Sequence, residues 1–206
     1  MSRLTIGIVD YGVGNLASVS RSLNSMGYRS RVSSDKSVLS NTDLILLPGV
    51  GAFPAAMQAL HENAMVDFLQ MQFRQGKPMV GICLGMQLLA DTSIEKRHTA
   101  GLGLIPGEVL PLQELDLHIG WNTIEVLDQD SILKPSDGQA VYFNHSYVLH
   151  TPKEYQIAVS RHRPTSPSFT VAVRKDNVVG LQFHPEKSQT IGRKLLSHVI
   201  EELCNA

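Results

Sequence analysis

Short apolar runs alternate with stretches of helical periodicity through the first half of the chain. Residues 4–9 and 43–47 are apolar at nearly every position, as expected for strands that are buried on both faces of a sheet. Four strands are predicted in this half, at residues 4–9, 30–33, 43–47 and 79–82. Apolar residues recur at helical spacing in two stretches, residues 15–26 and residues 54–74, the second with a break near 61–63. The alternation predicts a doubly wound α/β fold with a central, mostly parallel sheet flanked by helices.

The second half has shorter strand-like pieces separated by turn-forming residues. They lie near residues 107–110, 123–126, 140–142, 157–160, 168–173 and 178–183. We expect them to be antiparallel additions to the sheet, because clusters of turn residues such as 134–138 and 175–177 separate them. A last helix is predicted at about 189–203. The sequence contains no repeat or linker-like segment, which predicts a single domain over residues 1–206.

Composition excludes several classes of protein. The 206 residues are 43% hydrophobic and 18% charged, which is ordinary for a globular protein. The net charge of −1 provides no strong field for nucleic acid or an anionic membrane, and we expect neither as a partner. Two cysteines cannot form a disulfide framework and favour a reducing compartment. With no leader-like start and no apolar run of about 18 residues, a cytoplasmic location is expected.

Residues 81–85 (GICLG) form a G-x-C-x-G pentapeptide between an apolar strand and a helix. This is the thiol version of a nucleophile elbow, which predicts Cys83 as a nucleophile. The flanking glycines relieve crowding at the sharp turn, and the helix N-terminus favours the reactive thiolate. The N–H of Leu84 is expected to point to a developing oxyanion. The alternative is a buried structural thiol, because free cysteine is among the most buried residue types.

A histidine and a carboxylate follow at the end of a later strand. His184 and Glu186 are two residues apart, so that both side chains can point to the same face, and Pro185 stiffens the link. The histidine can accept the thiol proton and return it to a leaving amine, while the carboxylate orients the ring. The pair predicts a Cys-His-Glu triad, against the alternative of an ordinary solvated strand end. No spacing of cysteines or histidines predicts a metal site.

Residues 12–17 (GVGNLA) offer a rival interpretation. They satisfy G-x-G-x-x-G/A between a strand and a helix, with Asp35 roughly 20 residues further on. Alone, this pattern is typical of a dinucleotide-binding oxidoreductase. That hypothesis leaves both the elbow and the H-P-E segment unexplained. A non-catalytic interaction domain is a third alternative, against which the complete triad argues.

Four segments together match the class I, triad-type glutamine amidotransferases, which share a flavodoxin-like fold. They are residues 48–51 (PGVG), 81–87 (GICLGMQ), 142–147 (YFNHSY) and 180–188 (GLQFHPEKS). More narrowly, residues 10–16 (DYGVGNL), 101–107 (GLGLIPG) and 120–122 (GWN) resemble the glutaminase subunits of imidazole glycerol phosphate synthases, in histidine biosynthesis. Subunits serving anthranilate or pyridoxal phosphate synthesis are a nearby alternative with the same glutamine chemistry.

The resemblance implies a substrate, a partner and further site residues. Such proteins need no cofactor, hydrolyse glutamine, and pass ammonia to a (βα)₈-barrel cyclase in a heterodimer. By position, substrate-binding roles fall to Gly51, Gln87 and Ser146. The oxyanion hole would consist of backbone at Val50, after a peptide flip, and at Leu84. Positions that face the cyclase match Asn15, Trp121 and Tyr142. Trp121, the only tryptophan, would be an interface anchor or gate, with ordinary packing as the alternative.

Overall fold

The computed structural model describes residues 3–113, 115–127 and 132–205. Their strands are β1 (Thr5–Val9), β2 (Arg29–Ser33), β3 (Leu44–Leu47), β4 (Met79–Ile82), β5 (Thr92–Ser93), β6 (Thr99–Ala100), β7 (Glu108–Pro111), β8 (His118–Thr123), β9 (Glu125–Val126), β10 (Ala140–His145), β11 (Tyr147–His150), β12 (Gln156–Ser160), β13 (Phe169–Lys175) and β14 (Val178–Leu181). Their α-helices are α1 (Leu16–Ser25), α2 (Lys36–Ser40), α3 (Phe53–Glu62), α4 (Met65–Arg74), α5 (Leu84–Leu88) and α6 (Gln189–Asn205). Across these described ranges, no helix is both long and apolar enough to cross a membrane.

A mixed sheet of eight strands forms the centre of the described chain. Its order is β2-β1-β3-β4-β14-β13-β12-β9. The strands β1 to β4 and β14 pair in parallel, whereas β13, β12 and β9 extend the sheet in antiparallel pairs. This arrangement confirms the predicted α/β class, with its parallel half and its antiparallel additions. The predicted break near residues 61–63 is also confirmed, since α3 ends at Glu62 and α4 begins at Met65.

Strand β3 shows why the inner parallel strands are almost entirely apolar. Leu44 and Leu46 belong to the core that includes residues of α1 and α6, whereas Ile45 and Leu47 belong to the core on the opposite face, with α3 and α4. All four side chains are almost completely buried. Because successive side chains of a strand point to opposite faces, a sheet covered on both sides needs apolar residues without alternation.

Two of the predicted additions to the sheet are elsewhere in the structure. The pieces predicted near 107–110 and 140–142 correspond to β7 and β10, which lie in two smaller sheets. Strand β10 pairs with β8, and β7 pairs with β11 and β5, so neither reaches the edge of the central sheet, which β9 occupies. The strand predicted at 123–126 is divided, because β8 ends at Thr123 and β9 begins at Glu125.

The parallel strands bring four loops to one edge of the molecule. The loops that follow β1, β3, β4 and β14 all leave the carboxyl ends of parallel neighbours. In open α/β sheets, ligands bind in the crevice at this edge. The four loops are the glycine-rich segment 10–15, the PGVG segment 48–51, the elbow and the H-P-E segment. The topology therefore gathers the candidate chemistry in one place.

Candidate active site

Cys83 lies at a sharp turn between β4 and α5, where the predicted elbow requires it. Its backbone has φ 54° and ψ −112°, a conformation that costs a non-glycine residue on the order of 1–3 kcal/mol. The turn brings backbone segments very close together. A Cβ at position 85 would lie 1.9 Å from the Leu47 carbonyl oxygen, and one at position 81 would lie 2.6 Å from the Gly85 carbonyl oxygen. Both flanking positions of the pentapeptide therefore require glycine.

The side chains of His184 and Glu186 form a hydrogen-bonded pair in a buried turn after β14. His184 Nδ1 lies 2.8 Å from Glu186 Oε1, and only 3% and 2% of the two side chains are exposed. Ser188 secures the turn, because its hydroxyl donates to the His184 carbonyl at 2.7 Å and accepts from the Tyr142 N–H at 2.9 Å. The predicted shared orientation of the histidine and carboxylate is thus present, with the ring fixed through Nδ1.

Electrostatics keeps His184 protonated at neutral pH. Burial alone would lower its pKa, but the Cys83 and Glu186 side chains outweigh that effect through hydrogen bonds and charge, and raise the pKa to about 9. Because the carboxylate holds Nδ1, the other ring nitrogen is left to exchange a proton with sulfur or substrate. The site can therefore hold a positively charged acid beside a thiol.

Polar groups surround the sulfur of Cys83. Its thiol donates to the Asn144 carbonyl, with sulfur and oxygen 3.7 Å apart, and Gln182 Nε2 donates to the sulfur from 3.9 Å. Only 6% of Cys83 is exposed, which is consistent with a protected reaction site and also with a structural thiol. The thiol lines a cavity, and this position favours a reaction site over a structural thiol.

A cavity of about 270 Å³ brings most of the predicted site residues together. Cys83 and His184 line it, and so do the residues predicted for the oxyanion hole and for substrate: Val50, Leu84, Gly51, Gln87 and Ser146. Leu84 is the first residue of α5, so its N–H has no partner within the helix and is available to a ligand. The predicted interface residues Asn15, Trp121 and Tyr142 are not among those that line the cavity.

Gln87 and Glu95 provide oxygen acceptors to this cavity. The amide nitrogen of Gln87 donates to the Tyr147 carbonyl at 2.9 Å and to Gln182 Oε1 at 3.0 Å. Both of its hydrogens are engaged, which leaves the carbonyl oxygen for a ligand. Glu95 accepts from the Phe53 N–H through one oxygen, at 2.8 Å. The sequence interpretation missed Glu95, a lone acidic residue beyond a two-residue strand, where no motif or periodicity marks it.

Tyr11 is a second residue that the sequence interpretation missed. Its buried hydroxyl donates to the Pro48 carbonyl at 2.7 Å and so ties the loop after β1 to the PGVG segment that carries Val50. Burial, and to a lesser extent the Cys83 side chain, raises the pKa of Tyr11, which therefore stays a donor. The only signal in the sequence is an aromatic residue in an otherwise glycine-rich turn.

An exposed apolar stripe, which runs along β8 and the residue before it, lies beside the site. Leu117, Ile119 and Trp121 are 48%, 57% and 50% exposed, and alternate positions of a strand share one face. The Tyr142 ring lies between Trp121 and His184, with ring centroids 6.1 Å and 6.4 Å away, respectively. Two of the three predicted interface residues, Trp121 and Tyr142, are therefore adjacent to each other, and Tyr142 also lies beside the histidine. The third, Asn15, is exposed and caps α1 by accepting from the Ser18 N–H.

Comparison with known proteins identifies the family. The family model described as glutamine amidotransferase class-I matches residues 7–201. The chain therefore belongs to the class-I glutamine amidotransferases, a family of enzymes. This membership displaces the dinucleotide-binding interpretation of residues 12–17. The glycines at 12 and 14 instead have positive φ in a turn whose Gly14 approaches Pro48.

Within the family, curated relatives share one name. The chain is 43% identical over 195 residues to the imidazole glycerol phosphate synthase subunit HisH of Listeria innocua, covering 93% of this chain and 92% of the relative. It is 41% identical to the protein of the same name from Caldanaerobacter subterraneus, covering 94% and 96%. Among solved structures, PurLQS from Thermotoga maritima superposes with a TM-score of 0.76 at 20% identity, covering 98% of this chain and 100% of that one. This likeness supports the fold.

Proposed function

We propose that this chain, as a single domain, is the glutaminase subunit of an imidazole glycerol phosphate synthase. The observation that carries the proposal is one cavity lined by a strained elbow cysteine and by His184, whose ring is hydrogen-bonded to the buried carboxylate of Glu186. The relatives named as HisH support the choice of synthase, because they match the chain over more than nine-tenths of its length at 41–43% identity.

In the proposed first half-reaction, Cys83 attacks the side-chain amide of glutamine. The thiol proton resides on His184 at the start, and the Cys83 thiolate forms a bond to the amide carbon. The C–N bond then breaks as protonated His184 gives its proton to the leaving nitrogen, which departs as ammonia and leaves a γ-glutamyl thioester. Glu186 holds the imidazolium in the orientation that this transfer needs. The raised pKa of His184 suits a group that must carry a proton at neutral pH.

In the second half-reaction, water hydrolyses the thioester. His184 takes a proton from water, the hydroxide adds to the thioester carbon, and the C–S bond breaks to release glutamate. The sulfur leaves as a thiolate, the new carboxyl group loses its proton to solvent, and His184 keeps the proton taken from water, so the enzyme is regenerated without any cofactor. Both half-reactions pass through a tetrahedral oxyanion, for which we propose the backbone at Leu84 and Val50. Loss of one such donor typically costs about 3–4 kcal/mol in the barrier.

Recognition of glutamine is assigned to the acceptors in the cavity. The free oxygens of Gln87 and Glu95 suit the α-ammonium group, because an ammonium offers three donors and no acceptor. Ser146 and the Gly51 backbone line the cavity and would bind the rest of the amino acid. The buried carboxylate of Glu95 would discriminate against glutamine analogues that lack the α-amino group, since its partner would be missing.

The proposed partner is a (βα)₈-barrel cyclase that receives the ammonia. It would combine ammonia with a phosphoribulosyl-formimino intermediate and form imidazole glycerol phosphate and aminoimidazole carboxamide ribotide. The exposed stripe of Leu117, Ile119 and Trp121 is suited to such a contact, because contiguous exposed apolar surface beside a site marks an interaction face. A peptide flip at Val50 on docking would complete the oxyanion hole and make the glutaminase depend on the partner.

The test is glutamate release by the purified chain, alone and with the cyclase, in the presence of the cyclase substrate. We expect little release from the isolated chain and at least about a hundredfold stimulation by the loaded partner, the effect of one oxyanion donor. Full activity of the isolated chain would refute the gating at Val50. Stimulation by an anthranilate or pyridoxal phosphate synthase subunit, with none by the cyclase, would reassign the pathway.

A further inference from the structure

Two buried histidines outside the triad form a direct hydrogen bond. His145 ends β10, and its register partner across the β8–β10 pair is His118. His145 Nε2 lies 3.1 Å from His118 Nδ1, and 6% and 8% of the two residues are exposed. His145 lines the glutamine cavity, whereas His118 lines a separate groove with Trp121. The pair thus connects the cavity to the β8 surface.

The partners determine which ring nitrogens carry hydrogen. His145 Nδ1 lies 2.9 Å from the Tyr147 carbonyl oxygen, which can only accept, so Nδ1 is the donor. Burial lowers the pKa of His145 to about 3 and that of His118 to about 4, so both rings are neutral. A neutral His145 with hydrogen on Nδ1 has a bare Nε2. His118 must therefore donate from its own Nδ1.

Hydrogen bonds connect this pair to the nucleophile through the Tyr147 carbonyl, on which two donors converge. The Tyr147 carbonyl that His145 holds also accepts from Gln87, at 2.9 Å. Gln87 donates in turn to Gln182, whose amide nitrogen donates to the Cys83 sulfur. Every member of this chain is at most partly exposed, and Gln182 is completely buried. Loss of the His118 hydrogen bond would therefore disturb the positions of the Cys83 sulfur and of the Gln87 oxygen that is available to glutamine.

We propose that His118 is a positioning residue for the glutaminase reaction. Its Nδ1 hydrogen fixes His145, and His145 fixes the Tyr147 carbonyl, which holds Gln87 and Gln182 against Cys83. The kinetic part of this inference rests on the proposed function, whereas the hydrogen-bond pattern does not. His118 is on the strand that carries Trp121. A partner that bound the exposed stripe would therefore affect the Cys83 thiol through the same hydrogen bonds.

The hydrogen-bond pattern can be measured on the unmodified protein. Long-range ¹H–¹⁵N correlation spectra of the imidazole rings distinguish the two neutral tautomers from the cation. We expect His118 and His145 to be neutral with hydrogen on Nδ1 at pH 7, and His184 to be doubly protonated. Hydrogen on Nε2 of His118, or a charged His145, would overturn the inference. This result is independent of glutamine turnover and of any partner.

A matched pair of variants tests the positioning role. In His118→Asn an amide N–H replaces the Nδ1 donor, whereas His118→Leu has similar bulk and no donor. We expect His118→Leu to raise KM for glutamine about tenfold, the scale of one lost buried hydrogen bond, and His118→Asn to remain within about threefold of wild type. The exposed His61→Leu is the control and should not differ from wild type.

Thiol reactivity provides the second readout of the same variants. The rate at which iodoacetamide alkylates Cys83 should change in His118→Leu and recover in His118→Asn, because only the donor differs. Equal rates in all three proteins, or equal losses in both variants, would overturn the positioning role. If no partner elicits glutaminase activity, the proposed function fails, while the spectra and alkylation rates still decide this inference. If His118→Leu does not fold, the wild-type spectra and His118→Asn decide it.

Discussion

His184 and His145 are both buried and both line the same cavity, but their pKa values are shifted in opposite directions from that of an ordinary histidine. The pKa of His184 rises to about 9, and that of His145 falls to about 3. Burial lowers both, so the difference comes from the neighbours. His184 has a carboxylate and a thiol beside it, whereas His145 has a carbonyl and a second histidine. The comparison teaches that neighbouring charge, rather than burial, separates the proposed acid from the positioning pair.

The carboxylate of Glu186 is directed almost entirely at His184. Its Oε1 accepts from the ring, and its Oε2 is a buried atom without a hydrogen-bond partner among the described residues. A buried carboxylate oxygen without a donor costs free energy, and such cost is usually retained where function needs it. The charge that supports the imidazolium is therefore also the least satisfied group of the site.

Removal of the Glu186 charge should have the largest effect on the difference between His184 and His145. In Glu186→Gln the ring loses its charged partner, so the pKa of His184 should fall toward that of His145. We expect glutaminase kcat to fall on the order of 10³–10⁴-fold, as when the orienting carboxylate of a serine-protease triad becomes an amide. Steady-state kinetics of the complex with the cyclase measures it. Glu62→Gln, on the exposed end of α3, is the control, and a loss under about tenfold would contradict the role.

Stability should depend on pH with opposite signs for the two sites. The folded pKa of His184, about 9, exceeds its unfolded value of about 6.5, so its contribution is complete below pH 6.5 and lost as pH rises through 9. The contribution of His184 to the free energy of unfolding is on the order of 3 kcal/mol. His118 and His145 have lowered folded pKa values, so the unfolded chain binds more protons and stability falls as pH falls from 6.5 toward 4.

Urea unfolding at a series of pH values measures both effects. His184→Gln should remove much of the alkaline decline and leave the acid decline in place. His118→Asn should leave the alkaline decline in place and remove the part of the acid decline that His118 contributes, while the part from His145 remains. A variant that flattened the wrong side of the profile would show that the charge assignments are reversed.

A smaller effect is expected from the contact that holds the triad turn to β10. In Ser188→Ala the buried His184 carbonyl and the Tyr142 N–H both lose their hydroxyl partner. We expect the free energy of unfolding to fall by about 2 kcal/mol, and kcat to fall while His145 stays neutral. Chemical denaturation and ring ¹⁵N spectra check these outcomes. The matched control is Ser37→Ala, at the exposed start of α2, and an equal loss there would show that the effect is not specific to the triad turn.

The parallel half of the fold could be predicted because most of its strands carry a local signal. Strand β3 is apolar at all four positions because both its faces are covered. The nucleophile elbow consists of five consecutive residues, so that a local motif predicts it. Strand β8 has no such signal. His118 is buried, and Gly120 and Asn122 are partly exposed. The apolar residues Ile119 and Trp121 alternate with them on the exposed face of the strand. Its pairing with β10 depends on a contact about 20 residues away, which periodicity does not reveal.

The site was predictable to a similar degree. Cys83, His184 and Glu186 stand in short motifs. The structure brings the cysteine and the histidine to one cavity and the carboxylate to the histidine, although their catalytic roles stay predictions. Glu95 and His118 stand in no motif. Glu95 reaches the cavity through a turn after a two-residue strand, and His118 reaches His145 only through the register of β8 and β10. Residues that act through tertiary contacts leave no pattern in a single sequence.

The central claim is that Cys83 is the nucleophile of a glutamine-hydrolysing triad. Glutamate release by the complex with the cyclase tests it most directly, in Cys83→Ala and in Cys204→Ala, which removes the other free thiol. The account predicts a loss of at least about 10³-fold in Cys83→Ala and wild-type release in Cys204→Ala. Wild-type release from Cys83→Ala would contradict it.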